Sequence, residues 1–358
     1  MFDSYSEDQL SSYFQKTDDP IVKRMYQRAL EKYEPILMDN PNRYVLHPIQ
    51  YTEVWEEYQK SLGSFWTINE VSLVDDVKQW TSPDNIIDSG TKQFVKQVLG
   101  FFSQFDFIIN QNLANNFMDE TKPVEINMFY GFQIAMENIH SEQYAALINA
   151  YIESPEERDF LFRSIETMPC VKNMADWAFK WMNRDRPFCE RLVAFACIEG
   201  IMFSGPFACI YYLKKRGILP GLCMSNEFIS RDEGSHCKFA CILNSLLKYP
   251  ACPESIKEIV SEATQLQMEF INESIPCRLI GMNSESMNQY IKFVADRLLT
   301  MLHVPKLYNT SNPFDFMQLT GMDDKANFFE RRPSTYSKAG FTSKGQSQKK
   351  QVQLLENF

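Results

Sequence analysis

The chain has 358 residues, 44% hydrophobic and 14% aromatic, which is ample for a thick core and excludes disorder for most of its length. A net charge of -10 and a pI near 5.1 have the wrong sign for binding a phosphate backbone, so no nucleic-acid partner is expected; only residues 331–358 are basic, with six Lys and Arg against one Glu. Nine cysteines with no Cys-x-x-Cys pair, several in apolar runs such as Cys197, Cys209 and Cys241, read as small core residues of a reducing compartment.

The first residues, MFDSYSEDQL, are acidic and lead into no apolar run, so no secretory signal is expected and a cytoplasmic location is. Residues 1–19 read as a mobile arm, 20–33 as a short helix, and 34–50 as an extended segment punctuated by Pro35, Pro41 and Pro48. Helical periodicity then predicts helices at about 51–61, 68–80, 83–120, 123–152, 155–182, 188–214, 222–248, 254–275 and 284–302. Ser82-Pro83 and Ser154-Pro155 mark expected starts, and Gly217 and Pro250 mark stops. Strand signals are scarce. Long helices joined by short connections pack as antiparallel neighbours, so the expected fold is an all-α bundle over 34–330, preceded by the arm and short helix of 1–33. Residues 331–358, rich in Ser, Lys and Gln, have the composition of a disordered tail.

Residues 192–213 form a 22-residue apolar run with Glu199 as its only charge. A mid-span acid costs a few kcal/mol in a bilayer, and no second span with basic flanks accompanies this one. A central helix of a water-soluble bundle is the expectation, with no membrane partner.

Two Glu-x-x-His pairs, Glu137/His140 and Glu233/His236, use half of the four histidines and fall in two different predicted helices. Positions three apart share a helix face, so each pair offers one carboxylate and one imidazole to the same point. A di-metal carboxylate bundle needs two further inward acids from two other helices. Asp106, in LGFFSQFDFIINQNL, and Glu199, in FACIEGIMF, are isolated charges in apolar runs, and burying either without a cation or strong hydrogen bonds is prohibitive. Taken singly, each acid reads equally well as an ion-pair or capping residue, and a histidine on an apolar face is more often a hydrogen-bonded core residue. The joint pattern favours metal: four carboxylates balance two divalent ions while both histidines bind neutral, and oxygen and nitrogen donors without thiolate suit iron or manganese. His47 and His303, each close before a proline, read as structural.

Tyr144 lies one turn beyond His140 on the same face, which would set its phenol beside the metals. Phe203 and Phe207 follow Glu199 at one and two turns, and Ile229 precedes Glu233 by one turn. These three would wall a dry pocket, although as a stripe they also fit ordinary core packing.

The runs FYGFQIAMENIHSEQYAALI (129–148), IETMPCVK (165–172), FACIEGIMFSG (195–205), FISRDEGSHCKFAC (228–241), LIGMN (279–283), FVADRLL (293–299), NPFDFM (312–317) and NFFERR (327–332) strongly resemble the small, radical-generating subunit of class I ribonucleotide reductase, eukaryotic type, over roughly 34–358. The resemblance implies a ferritin-like bundle in which Asp106, Glu137, His140, Glu199, Glu233 and His236 bind two iron ions, oxo-bridged once dioxygen has reacted, and Tyr144 carries the radical. It implies that Trp66 and Asp232, with Asp232 hydrogen-bonded to His140, form the route toward the surface. Tyr336 would relay the oxidising equivalent to the large subunit, which reduces ribonucleotides to 2'-deoxyribonucleotides. The apolar end of the tail, with Leu354, Leu355 and Phe358, would dock that partner, and a homodimer is the expected assembly. Two departures stand out: the sequence closes in LLENF where relatives often carry an acidic pair before the final Phe, and Pro206 falls inside the Glu199 helix, where it should kink or bulge it. A di-iron oxygenase or desaturase, or a ferritin-like iron store, would share the ligand set. The iron store would not need Tyr144, Trp66 or a docking tail, and the oxygenase would require a substrate channel reaching the metals.

Overall fold

The computed structural model describes residues 2, 4–40, 44–274, 282 and 284–320, and among them no strand occurs. Tyr336, Leu354, Leu355, Phe358 and the whole tail 331–358 lie outside the described residues.

Residues read from sequence as a mobile arm contain a helix, α1 (Glu7–Lys16), closed by a capping box in which the Ser6 hydroxyl and the Gln9 side chain each bond the other's backbone amide. In α2 (Pro20–Leu30) Asp19 caps the start and Pro20 occupies the first turn, where its missing N–H costs nothing. After α3 (Thr52–Gly63) and α4 (Val74–Trp80), helix α5 (Ser89–Asn112) begins at the Asp88 cap rather than at Ser82-Pro83. Ser82 instead closes a turn, accepting from Asp84 N at its hydroxyl and from Asn85 N at its carbonyl. A π-turn, Leu113–Phe117, carries α5 into the short α6 (Met118–Glu120).

Helix α7 (Val124–Tyr151) is uninterrupted. The single helix expected over 155–182 is three: α8 (Pro155–Phe162), α9 (Ser164–Thr167) and α10 (Pro169–Met182). Pro169 cannot donate and pushes Met168 to an extended conformation, and Gln104 of α5 takes up Ile165 N at 2.8 Å. Next come α11 (Phe188–Cys197), a second π-turn at Ile198–Met202, and α12 (Ser204–Lys215), with Pro206 in its first turn. The bulge expected from Pro206 is present, on its N-terminal side. Then follow α13 (Pro220–Leu246), α14 (Pro253–Ser274), α15 (Ser284–Met301) and a 3-10 turn, Asp315–Thr320.

The architecture is a helical bundle. Helices α5 and α7 pack side by side, as do α11 and α13; α3 covers α7 and α13, while α10, α14 and α15 close over α11 and its π-turn. Phe188–Lys215 is long and apolar enough to cross a membrane, but 94% of its most apolar window is buried within the bundle. The start of α13 is held from α4: Asp76 accepts from Gly221 N at 2.7 Å, from Leu222 N at 2.8 Å and from Tyr151 Oη at 2.5 Å.

Candidate metal centre

Four long segments each bring an acid to the middle of the bundle. Asp106 comes from α5, Glu137 and His140 from α7, Glu199 from the π-turn after α11, and Glu233 and His236 from α13; all six are buried. Their donor atoms form two groups, Asp106–Glu137–His140 and Glu137–Glu199–Glu233–His236. Glu137 belongs to both.

The two glutamates of the Glu-x-x-His pairs lie between the histidines. Glu137 places Oε2 3.3 Å from His140 Nδ1 and Oε1 3.0 Å from His236 Nδ1. Glu233 places Oε1 3.1 Å from His140 Nδ1 and Oε2 2.9 Å from His236 Nδ1. Asp106 and Glu199 stand at opposite ends, one in each group. Both oxygens of Asp106 and Oε2 of Glu199 have no hydrogen-bond partner although buried, and both oxygens of Glu137, Oε1 of Glu233 and Nδ1 of His140 face only other atoms of the cluster at 3.0–3.3 Å, in geometry that makes no hydrogen bond. Leaving one such atom unsatisfied costs about 1–3 kcal/mol, more when charged. Seven converging on one place fit a cationic occupant, and an all-oxygen-and-nitrogen donor set fits a pair of iron or manganese ions.

Without cations the carboxylates act on one another. Burial first, then Glu137 and Glu233, push Asp106 well above the usual carboxylate range; burial, Glu233 and Glu137 do the same to Glu199. Burial would lower His236, but Glu137 and Glu233 outweigh it and raise the imidazole to about 9.

Asp232 tethers the far nitrogen of His140, with Oδ2 3.1 Å from Nε2 and also accepting from Trp66 Nε1 at 2.7 Å. That bond leaves Nδ1 of His140 for the metal side and fixes the ring. Arg231, not singled out by sequence, binds Asp232 Oδ1 through Nε and Nη2 at 3.1 and 3.0 Å and reaches Ser64 O at 2.7 Å. Burial would raise Asp232, but His140, Arg231 and Trp66 overcome it and hold the carboxyl below its ordinary value. The Trp66 ring stacks on Phe228 at 5.0 Å and lies 6.0 Å from the His140 ring.

Tyr144 is buried, and burial followed by the charges of Asp106, Glu233 and Glu137 keeps its phenol protonated well past the usual range. Its ring stacks on Phe102 at 4.8 Å; Phe102 in turn meets Phe203 at 5.7 Å and Phe207 at 5.2 Å. Phe102 therefore links the expected wall to the tyrosine. It sits one turn before Asp106, a spacing that could have flagged it. Ile229 is buried on α13, one turn before Glu233. Gln133, also missed, donates from Nε2 to Glu199 Oε1 at 3.0 Å from one turn before Glu137. The π-turn lies so close to α13 that a Cβ on Gly200 would sit 2.7 Å from Cys237 Sγ, so any larger residue beside Glu199 would force the Cys237 side chain to shift. His47 and His303 join neither ligand group.

Fold and site together define a ferritin-like helical bundle with a buried carboxylate–histidine cluster able to bind metal. A family model described as ribonucleotide reductase, small chain, matches residues 43–313. The ribonucleoside-diphosphate reductase small chain of Spisula solidissima is 53% identical over 327 residues, covering 91% of this chain and 83% of that one. Its counterpart from Nicotiana tabacum is 49% identical over 327 residues, covering 91% and 98%. The solved Rnr4 homodimer of Saccharomyces cerevisiae superposes with a TM-score of 0.76 at 36% identity, covering 87% of this chain and 96% of that one. This protein belongs to the ribonucleotide reductase small-chain family, which makes it an oxidoreductase subunit.

Proposed function

We propose that this protein generates and stores the oxidising equivalent for ribonucleoside-diphosphate reduction: Asp106, Glu137, His140, Glu199, Glu233 and His236 hold two iron ions, and Tyr144 is the residue oxidised. The observation that carries this reading is the convergence of seven buried donor atoms that make no hydrogen bond beside a buried phenol. With dioxygen, an iron pair supplies the one-electron oxidation of Tyr144. The phenol gives up an electron to that pair and its Oη proton toward the carboxylates whose charges act on it, Asp106, Glu233 and Glu137. Phe102, Phe203 and Phe207 keep water and reductants from the ring, which prolongs the oxidised state.

Trp66, Asp232 and His140 form the hydrogen-bonded route by which the equivalent leaves. Tyr336 continues that route in the tail, and Leu354, Leu355 and Phe358 dock the large subunit, where ribonucleotides become 2'-deoxyribonucleotides. The protein assembles as a homodimer, a reading supported by the solved yeast Rnr4 structure, which is of a homodimer. The cytoplasm suits its thiols, eight of which are free among the described residues. Manganese is the alternative metal on the same donors.

Ferrous iron and oxygen will give a tyrosyl signal by electron paramagnetic resonance, abolished in Tyr144→Phe while two irons per chain remain. A fully loaded wild type without that signal overturns the role of Tyr144. Deleting residues 352–358 will abolish reductase activity with the large subunit and leave the radical. Surviving activity would refute the docking tail.

A further inference from the structure

Helices α1 and α2 precede the family match at 43–313, so membership of the family assigns them no role. Their polar side chains converge on two places. Toward the start of α11, Glu31 Oε1 accepts from Phe188 N, the Arg24 guanidinium holds Glu190 at 2.9 and 3.1 Å through Nε, and Arg28 Nη1 donates to the carbonyls of Arg184 and Arg186. Toward the turn after α13, Gln27 Nε2 donates to Tyr249 O and Pro250 O, Glu34 accepts from Tyr249 N at 3.0 Å, and Glu7 binds Lys248 and the Tyr249 hydroxyl. Arg24, Gln27, Arg28, Glu31 and Glu34 recur at intervals of three to four, so one face of α2 and its extension makes nearly all of these bonds.

The two places lie at the same end of one antiparallel helix pair, where α11 begins and α13 has just ended. Helix α11 runs into the π-turn bearing Glu199, and α13 carries Glu233 and His236. Those three ligands form one group with Glu137, while Asp106 and His140 belong to the other group, on α5 and α7. Glu190 is fully buried in the first turn of α11, where its charge favours the helix dipole, and Arg24 and Arg186 satisfy it. Pulling α11 along its axis to move Glu199 would break the Phe188 N–Glu31 and Arg24–Glu190 bonds together.

We propose that residues 7–34 are a clasp that sets how firmly the Glu199–His236 end of the centre retains its metal, with Arg24 and Glu31 as positioning residues for α11. This rests on the metal reading given above. Leu10 and Leu30 are buried under the clasp, its polar bonds set the alignment of α11, and it acts on one end of the centre.

The test uses the full chain loaded with two manganese(II) ions and challenged with excess chelator, the released ion being followed by its solution resonance signal. In Arg24→Met/Glu31→Gln, which removes the Arg24 bonds to Glu190 and to Glu258 of α14 and the charge on the Glu31–Phe188 bond, one ion per chain will leave about tenfold faster and the second at the wild-type rate. In the Glu199→Ala background the fast-leaving ion will be absent. Two ions leaving at wild-type rates, both accelerating together, or a fast ion persisting without Glu199 each overturns the clasp. A wild type that takes up no manganese pair overturns the metal reading instead. Should the double variant fail to fold, Gln27→Leu, which loosens only the α13 side, is read by the same criteria.

Discussion

Asp76 and Asp106 are both 0% exposed aspartates on helices of the same core. Asp76 accepts two backbone amides at the start of α13 and the hydroxyl of Tyr151, so both of its oxygens are bonded. Neither oxygen of Asp106 has any partner. Asp296 repeats the first pattern, taking Leu307 N and Tyr308 N at 2.9 Å and Thr310 N at 3.3 Å. Burial of an acid thus states a cost that something must offset. What offsets it separates an acid that fixes a chain turn from one that, on the reading proposed above, holds a cation.

The largest test of this contrast is Glu137→Ala. Glu137 belongs to both ligand groups, so metal analysis will find the content falling from two ions per chain toward none, whereas Glu199→Ala will lose one. Retention of two ions without Glu137 would break the shared-carboxylate reading. Next, Asp76→Ala will cost about 3 kcal/mol in urea unfolding, because it removes a helix cap and strands the Tyr151 hydroxyl. Its folded fraction will still bind two ions. Asp106→Leu will do the reverse, raising the stability of the metal-free protein by about 2 kcal/mol while weakening metal uptake. If metal-free Asp106→Leu were less stable than wild type, Asp106 would have a structural partner and the contrast would collapse.

The smallest effect is in pH. His236 is raised from near 6.5 to about 9 in the metal-free fold, so its contribution is complete below about 6.5 and is lost as pH rises through about 9. Asp106 and Glu199, raised in the fold, act in the same sense: the metal-free protein becomes less stable as their protons leave above the ordinary carboxylate range. The thermal midpoint of metal-free protein will therefore fall between about pH 6.5 and 9. The loaded protein, whose imidazoles are neutral ligands, will show no such fall, and metal affinity will climb across the same window. A metal-free midpoint that rises with pH would show that the histidines are not held by Glu137 and Glu233.

The buried cluster was legible because a lone acid in an apolar run is costly wherever it lies, and the Glu-x-x-His spacing points two donors the same way. Asp76 was not, because Asp75 beside it makes the segment look like a solvated face. Gln133 is neutral, so its burial raises no alarm in sequence, and only the position of Glu199 in space shows its use. The helix boundaries that differ, at Asp88 and at Pro169, were decided by partners distant in sequence or by a choice between two meanings of the same signal: Ser-Pro serves as cap at Ser154 and as turn at Ser82. Helix α1, read as part of a mobile arm, is anchored to Lys248 and Tyr249 through Glu7, contacts that no local pattern announces.

The π-turn at Ile198–Met202 holds one residue more than an α-helix needs, which rotates everything after it by about 100° about the axis. Glu199 lies within that turn, and Phe203 and Phe207 lie beyond it. Removing a single residue between Glu199 and Phe203 would restore a regular helix and swing both rings off Phe102 while leaving the carboxylate in place. The extra residue works as a coupling between two parts of the molecule, and its length is the setting that brings a metal ligand and an aromatic wall into phase.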